Sequence, residues 1–314
     1  MDAAGLPLSD TLSRGDAARR GMNDDDLRRL VAGRVLTRVR RNAYRDTAAH
    51  DVLSAEQRHA VAVRAAVAAH RVDVVVSHQS AAVLHGLPVW GAPLDVVHLT
   101  TRRRNAGRRS GLVHIHTAPV APDELCLVDG IAATTPARTV FDVACSMRFE
   151  AAVVIADAAL HAGLTSPEDL LVQIERGRGR TGRPAARAAI TFADGRSESV
   201  GESRSRVGMH VARVPVPDLQ TEVCRSDGSV AGRPDFRWGR LLGEFDGAVK
   251  YGRLVRPGET AGDAVVREKR REDELRDLGF DMVRWGWADL GAPDRLYPRI
   301  HAAIERTGQQ AASG

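Results

Sequence analysis

The stretch from Pro234 to Gly252, PDFRWGRLLGEFDGAVKYG, decides the fold of the C-terminal part of the chain. Trp238-Gly239-Arg240-Leu241 reads as a corner, because Gly at the first loop position suits a two-residue type II′ hairpin turn. With Gly239 and Arg240 as the loop, Trp238 faces Leu241 and pairing runs outward. Asp235 then lies opposite Glu244, and Arg233 opposite Asp246. Alternation puts Arg233, Asp235 and Arg237 on one face with Leu242, Glu244 and Asp246. Directly opposed side chains have Cβ atoms roughly 4.5–5.5 Å apart. Two carboxylates that close repel unless a cation stands between them. A divalent metal is one answer. A ladder pairing Arg233 with Asp246 and Arg237 with Glu244 is the other.

Around this hairpin, ESVGESRSRVGMHVARV carries Val200, Val207, Val211 and Val214 at helical spacing, with Glu198 and Glu202 on one face. LQTEVCRSDGS reads as a strand ending in an Asp-Gly turn, and SVAGRPDFRW as one arm of the hairpin. DAVVREKRREDELRDLG reads as a charged helix and FDMVRWGW as a following strand. Helix, three antiparallel strands, helix, strand is the order of the PD-(D/E)xK nuclease core.

The residues resemble one branch of that fold, the Vsr-like (very short patch repair) endonucleases and their relatives. The matching motifs are ES-R, PDF, GEFDGAVKYG and REKRREDELRDLGFDMVRW, across about residues 198 to 290. The resemblance implies that Asp235 and Glu244 are metal-binding acids for Mg²⁺ (or Mn²⁺). It places Asp246 where the wider superfamily has its lysine, as a third ligand. Glu202 becomes the acid of the first helix. Lys250 stands where the Vsr-like relatives have His, and a lysine of ordinary pKa cannot do that histidine's acid–base work near neutral pH. It can still stabilise a pentavalent phosphate. A nuclease fold does not by itself give nuclease activity.

At the other end, Ser13 and Asn23 are placed to cap two short helices, and Gly33 to close the second. VLTRVRRNAYR alternates like a small hairpin. Helix, turn, helix, hairpin is the order of a winged helix-turn-helix. The seven arginines Arg28, Arg29, Arg34, Arg38, Arg40, Arg41 and Arg45 fall in a run without an acid. They suit phosphate contact, which gives affinity without reading sequence. Asp24, Asp25 and Asp26 complement a helix N-terminus but would repel phosphates there.

Between these ends the chain alternates helices and strands. AEQRHAVAVRAAVAAH reads as a long helix, and DVVVSHQSAAVLHGL as a buried strand feeding a helix capped by Ser77. PLDVVHLTT and GLVHIHTAP read as strands around the basic loop Arg102–Arg109, a further phosphate contact. Thr135-Pro136 and Ser166-Pro167 signal two more helices. RGRGRTGRP reads as a linker or exposed turn. His114 and His116 share a strand face but lack a third ligand nearby in sequence, so they read as the polar face of a half-buried strand. Ser77-His78 with His85 reads as a cap and an amphipathic helix, not a nucleophile.

SHQSAAVLHGLPV, DVVHLT, GLVHIHTAPVAPDEL and GIAATTPARTVFDVA resemble the AbiEi family of type IV toxin–antitoxin antitoxins, over about residues 10 to 170. That resemblance implies an operator-binding winged helix, transcriptional autoregulation and a nucleotidyltransferase-like toxin as partner.

With 314 residues, 43% of them hydrophobic, there is ample material for cores, though aromatics are only 4%. Net charge is +5, and only Lys250 and Lys269 among 45 basic residues are lysines. Cys126, Cys145 and Cys224 form no disulfide framework or zinc spacing. No apolar run is long enough for a membrane span and no leader is evident. The expectation is a soluble, cytoplasmic α/β multidomain protein. Residues 1–50 form a winged helix-turn-helix, 51–190 an α+β AbiEi-like antitoxin domain, and 195–305 a PD-(D/E)xK-type nuclease domain. Its function is duplex DNA binding with metal-dependent endonuclease chemistry. The alternative is a non-catalytic antitoxin and autorepressor that uses the last domain as a DNA or partner clamp. A structural adaptor without a DNA role is a third option.

Overall fold

The computed structural model describes residues 11–70, 74–103, 107–247 and 260–313. The chain divides into two compact units, Met1–Phe192 and Ala193–Gly314. This division falls within the segment expected to separate the middle and last domains.

The first unit begins with β1 (Leu12–Ser13), α1 (Arg14–Arg19), α2 (Asp24–Ala32), β2 (Leu36–Arg40), β3 (Ala43–Asp46) and α3 (Thr47–Asp51). Ser13 and Asn23 cap the first two helices as expected, each in a reciprocal capping box with Asp16 and Asp26. β1, β3 and β2 form a three-stranded antiparallel sheet. This small module is tied to the rest of the unit, since the Arg40 guanidinium donates to the Ala65 carbonyl at 2.8 Å.

The unit continues with α4 (Ala55–Ala69), β4 (Val75–Val76), α5 (His78–Leu84), β5 (Val97–Thr101), β6 (Arg108–Ser110), β7 (Val113–Thr117), β8 (Leu125–Val128) and β9 (Ile131–Thr134). Four helices close it: α6 (Pro136–Ser146), α7 (Phe149–His161), α8 (Pro167–Arg176) and α9 (Arg183–Phe192). Six strands run in the order β6-β7-β5-β4-β9-β8. β5 and β7 are parallel, with His98 beside His114 and Thr100 beside His116. The core between α4, α5 and the sheet is small and aliphatic: Val63, Ala66, Val76, Ala81, Leu99 and Ile115 are buried there. Short side chains let helix and sheet approach closely where aromatics are scarce.

RGRGRTGRP is not a linker but the turn between α8 and α9. A Cβ on Gly177 would lie 2.1 Å from the tip of the Phe141 ring, and one on Gly182 (φ +82°) would meet the Cys145 carbonyl. The turn inserts Arg180, which donates to the buried Asp142 carboxylate at 2.7 Å. The basic loop also differs from expectation. Arg108 and Arg109 are exposed on β6, which pairs antiparallel with β7, while its centre lies outside the described residues.

The second unit comprises α10 (Val200–Val211), β10 (Asp218–Leu219), β11 (Val223–Cys224), β12 (Val230–Gly232), β13 (Phe236–Trp238), β14 (Leu241–Asp246), α11 (Ala261–Asp277), β15 (Asp281–Gly286), α12 (Trp287–Leu290) and α13 (Pro293–Ser313). Its main sheet has the order β10-β13-β14-β15. The first three strands are antiparallel, and β15 returns parallel to β14 after the crossover helix α11. Phe236, Trp238, Leu241, Phe245 and Trp285 share a core with Met209, Leu296 and Ile300. Leu242 faces Leu275 in a smaller cluster with Val223 and Ala231.

The hairpin corner has the expected register, with Trp238 opposite Leu241, Arg237 opposite Leu242 and Phe236 opposite Gly243. Gly239 has φ +58° while Arg240 does not enter the left-handed region, as a type II′ turn requires. The ladder stops at Phe236. Pro234 has no N–H to continue it, so the run from Ser229 to Trp238 forms two strands in different sheets instead of one arm. Arg233 therefore does not oppose Asp246. It pairs with Glu198 at 2.7 Å, and Asp246 sits beside Gly286.

Candidate functional site

Beyond the last ladder pair the Asp235 side chain takes over from the backbone. Its Oδ2 accepts from the Phe245 amide at 2.8 Å, so its carboxylate lies against the backbone between Glu244 and Asp246. Its Oδ1 accepts from Gln220 Nε2 at 3.3 Å, and the same amide nitrogen donates to Glu202 Oε2 at 3.0 Å. Glu202, only 5% exposed, also accepts from the Glu198 amide and the Ser199 hydroxyl at 2.9 and 2.7 Å. The structure thus brings Asp235 and Glu202 together across one side-chain amide. Gln220 is held at φ +53°, a left-handed conformation costly for a residue with a Cβ. Its own N–H donates to the Asp235 carbonyl at 3.2 Å, which helps fix that geometry.

Glu244 goes elsewhere. On the α11 side of the sheet its two oxygens take Arg271 and Arg284, the latter at 3.0 Å. Both guanidiniums also hold Glu268, at 2.8 and 2.7 Å, and Arg284 reaches Glu272 at 2.9 Å. Burial works against the Arg271 charge. Its hydrogen bonds and charge interactions with Glu268 and Glu244 outweigh that and hold it above its ordinary range. Burial likewise opposes the Glu268 charge, and Arg271 and Arg284 hold that carboxyl below its usual range. The expected face-to-face opposition of Asp235 and Glu244 is replaced by two separate arrangements, one in the sheet plane and one against α11. The arginine ladder exists but with different members. Arg237 donates to the Gly239 carbonyl and lies over Phe280, 5.2 Å from the ring centroid. Asp246 is exposed at the end of β14, and Lys250 lies outside the described residues.

In the small N-terminal module the seven arginines expected to meet phosphates separate into four sets. Arg28 and Arg29 are exposed but ion-paired to Asp25 and Asp26 one turn earlier in α2. Arg45 is only 2% exposed and cannot meet a phosphate, contrary to expectation, because strand alternation turns it inward with Ala43. Arg40 is half-buried on Ala65. Arg34, Arg38 and Arg41 remain exposed and make no ion pair among the described residues. Arg38, Arg40 and Arg41 line a groove of about 860 Å³ shared with Arg58, His50 and the Ser110–Val113 segment.

One grouping escaped the sequence reading. His78, His98 and His116 present ring nitrogens that all lie within 4.8 Å of one another. Among the described residues no such grouping joins Asp235, Glu244 and Asp246. The further partners for the HIH strand come from α5 and β5, so no local spacing could reveal them. The signal was a His in each of two strands, His98 in β5 and the alternating His114 and His116 in β7; parallel pairing sets His98 beside His114, with His116 two residues further on. Ser77 begins α5 but makes no cap hydrogen bond; its hydroxyl lies 2.9 Å from His78 Nδ1 and accepts from Thr100. His85 contacts the Thr134 carbonyl instead, at 2.8 Å.

No family model matches the chain. Two proteins of Mycobacterium tuberculosis, Uncharacterized protein Rv2248 and Uncharacterized protein MT2308, are each 34% identical to it over 183 residues. The match covers 57% of this chain and 64% of each relative, a little under two thirds of their length. The crystal structure of RV2827C protein from Mycobacterium tuberculosis aligns with 70% of this chain and 85% of its own, at 13% identity and a TM-score of 0.38. No helix among the described residues is long and apolar enough to cross a membrane.

Proposed function

We propose that the chain is a DNA-binding protein whose second unit is a metal-dependent phosphodiesterase of the PD-(D/E)xK type. One observation carries this reading: Asp235 binds the amide between Glu244 and Asp246 and is tied through Gln220 to Glu202. Acids from separate elements are thereby gathered toward the end of the sheet where the parallel strands β14 and β15 finish. Carboxyl ends of parallel strands are where open α/β sheets bind ligands. Hard carboxylate oxygens suit Mg²⁺ or Mn²⁺, which keep several waters and need few protein ligands. Glu244 would have to release Arg271 and Arg284 to join Asp235 and Asp246 around the ion, which would supply an activated water and neutralise charge on the phosphate. Asp235 and Glu202 serve as acceptors around Gln220, and Arg271 and Arg284 place positive charge beside Glu244.

In the first unit, Arg34, Arg38 and Arg41 contact phosphates, with Arg28 and Arg29 contributing only as their ion pairs exchange. The resemblance to type IV antitoxins extends this reading to an operator and a nucleotidyltransferase-like toxin as partner. A second reading, a non-catalytic antitoxin and autorepressor, is favoured by the double arginine engagement of Glu244. Supercoiled and linear DNA incubated with Mg²⁺ or Mn²⁺ separates the two. Nicking or cutting that vanishes in both Asp235→Asn and Glu202→Gln supports the nuclease. Tight salt-dependent binding without cleavage supports the second reading. Failure of the wild type to retain duplex DNA at low salt sinks both.

A further inference from the structure

We propose that the first unit binds one divalent transition-metal cation of the Zn²⁺ class on His78, His98 and His116. The three residues come from the start of α5, from β5 and from β7. Backbone hydrogen bonds fix their spacing: the Ser77 amide donates to the His98 carbonyl at 3.1 Å, and the His98 amide to the Ser80 hydroxyl at 2.8 Å. His98 Nδ1 and His116 Nε2 stand 2.9 Å apart. Two nitrogens on one tetrahedral zinc are about 3.3 Å apart, given Zn–N bonds of roughly 2.0–2.1 Å. Only a few tenths of an ångström of opening would admit the ion between them. The His78 ring stacks on His116 at 3.8 Å between centroids, and Ser77 Oγ at its Nδ1 leaves Nε2 for a cation. An outer partner on the other ring nitrogen is how proteins orient a ligating imidazole.

Two further features point to a ligand here. His78 is buried and has φ +53°, a strained conformation for a non-glycine residue. Among the described residues, Oδ2 of the fully buried Asp142 has no hydrogen-bond partner, nor has Oε1 of the buried Gln79, which follows His78 in sequence. Such orphaned atoms call for a water or an ion nearby.

The chemistry of the donors selects the metal class. Three imidazoles with no carboxylate suit Zn²⁺ and its neighbours and disfavour Mg²⁺ and Ca²⁺. Ligation requires neutral imidazoles. The 2.9 Å approach of His98 Nδ1 to His116 Nε2 leaves room for only one proton between them, so at least one of the facing nitrogens is already without one. The charged groups around them are Arg109, Arg138 and Arg180 on one side and Asp95 and Asp142 on the other. Arg138 and Arg180 are both engaged by Asp142, which limits their repulsion of a dication. Three protein ligands leave a fourth position for water or an anion.

The alternative is a neutral stack joined by an N–H···N bond between His98 and His116. The full chain, stripped with chelator and then titrated with Zn²⁺ or Co²⁺ alone, distinguishes them. The expected result is one equivalent bound, a tetrahedral Co²⁺ spectrum, and at least tenfold weaker binding in His98→Gln and His116→Gln. X-ray absorption on the Zn²⁺-loaded wild type adds a measurement that needs no variant, with an expected nitrogen shell containing imidazole scattering. Less than one tenth of an equivalent bound, a shell without imidazole, or unchanged affinity in both folded variants overturns the proposal.

Discussion

Replacing Arg138 by Met tests how the first unit tolerates a buried charge. The guanidinium is 3% exposed and donates to Glu124 at 2.8 Å, Asp142 at 2.9 Å and the Pro119 carbonyl at 3.0 Å. Methionine conserves most of the volume and removes the charge. Asp142, with no exposed side-chain surface, keeps Arg180. Among the described residues Glu124, nearly as buried, keeps only the Ala121 amide at 2.8 Å and a contact with Arg176 at 4.0 Å. Removing one partner of a buried pair typically costs about 3–5 kcal/mol. The surviving Arg180 puts the expected loss near the lower end, about 3 kcal/mol. Urea unfolding of the full chain at pH 7, followed by circular dichroism, should show about 3 kcal/mol lost. Adding Glu124→Gln to the Met variant should restore about 1–2 kcal/mol, because the orphan is removed. A loss under about 1 kcal/mol at pH 7, or no recovery on adding Glu124→Gln, would refute the reasoning.

Three other outcomes are expected of the same structure. Arg38→Ala with Arg41→Ala should weaken duplex DNA binding and flatten its salt dependence by a slope of about 2; Arg45→Ala should instead lower the melting temperature, and equal affinity loss in both variants in gel-shift titrations would contradict this. Gly201→Ala should cost about 1–3 kcal/mol or more by overpacking, because the added methyl would lie 1.9–2.3 Å from the edge carbons of the Phe245 ring; an unshifted thermal midpoint would show that α10 is free to move. Burial holds His59 neutral, bonded to Leu94 and Ser80, with its pKa below the ordinary value. Its contribution is thus present above the ordinary histidine value of about 6.5 and is lost as pH falls from there through the lower folded value. His59→Gln should flatten that acid slope in urea titrations, and an unaltered slope would count against it.

The parts of the fold legible in the sequence are those set by close neighbours along the chain. Gly239 fixes the corner and hence three ladder pairs. Ser13, Asn23 and Ser166 fix helix starts, because a cap is completed within one turn by Asp16, Asp26 and Asp169. Pro234 is visible too, but its effect reaches further than the hairpin pattern suggests: a residue without an N–H ends the ladder one pair short of Asp235. Partners delivered by crossovers are not legible. Arg271 and Arg284 reach Glu244 from 27 and 40 residues away, and His116 reaches His98 from 18. Parallel pairing sets those meetings, and local periodicity carries no record of its register. Arg180 is the plainest case, a residue in a glycine-rich basic run that is a counterion to a buried aspartate.

The parallel pair formed by β14 and β15 also bears on the order of events during folding. The β13–β14 hairpin closes over two residues and belongs to the class of structures that form in microseconds. The partner strand β15 arrives only after α11 has crossed the sheet, so its pairing carries the larger loop-closure entropy. The cluster of Glu244, Arg271 and Arg284 has one member on each of β14, α11 and β15 and is complete only when all three have met. Its ion pairs then belong to the late side of the barrier. They act as a latch whose removal speeds unfolding while leaving the rate of folding nearly untouched.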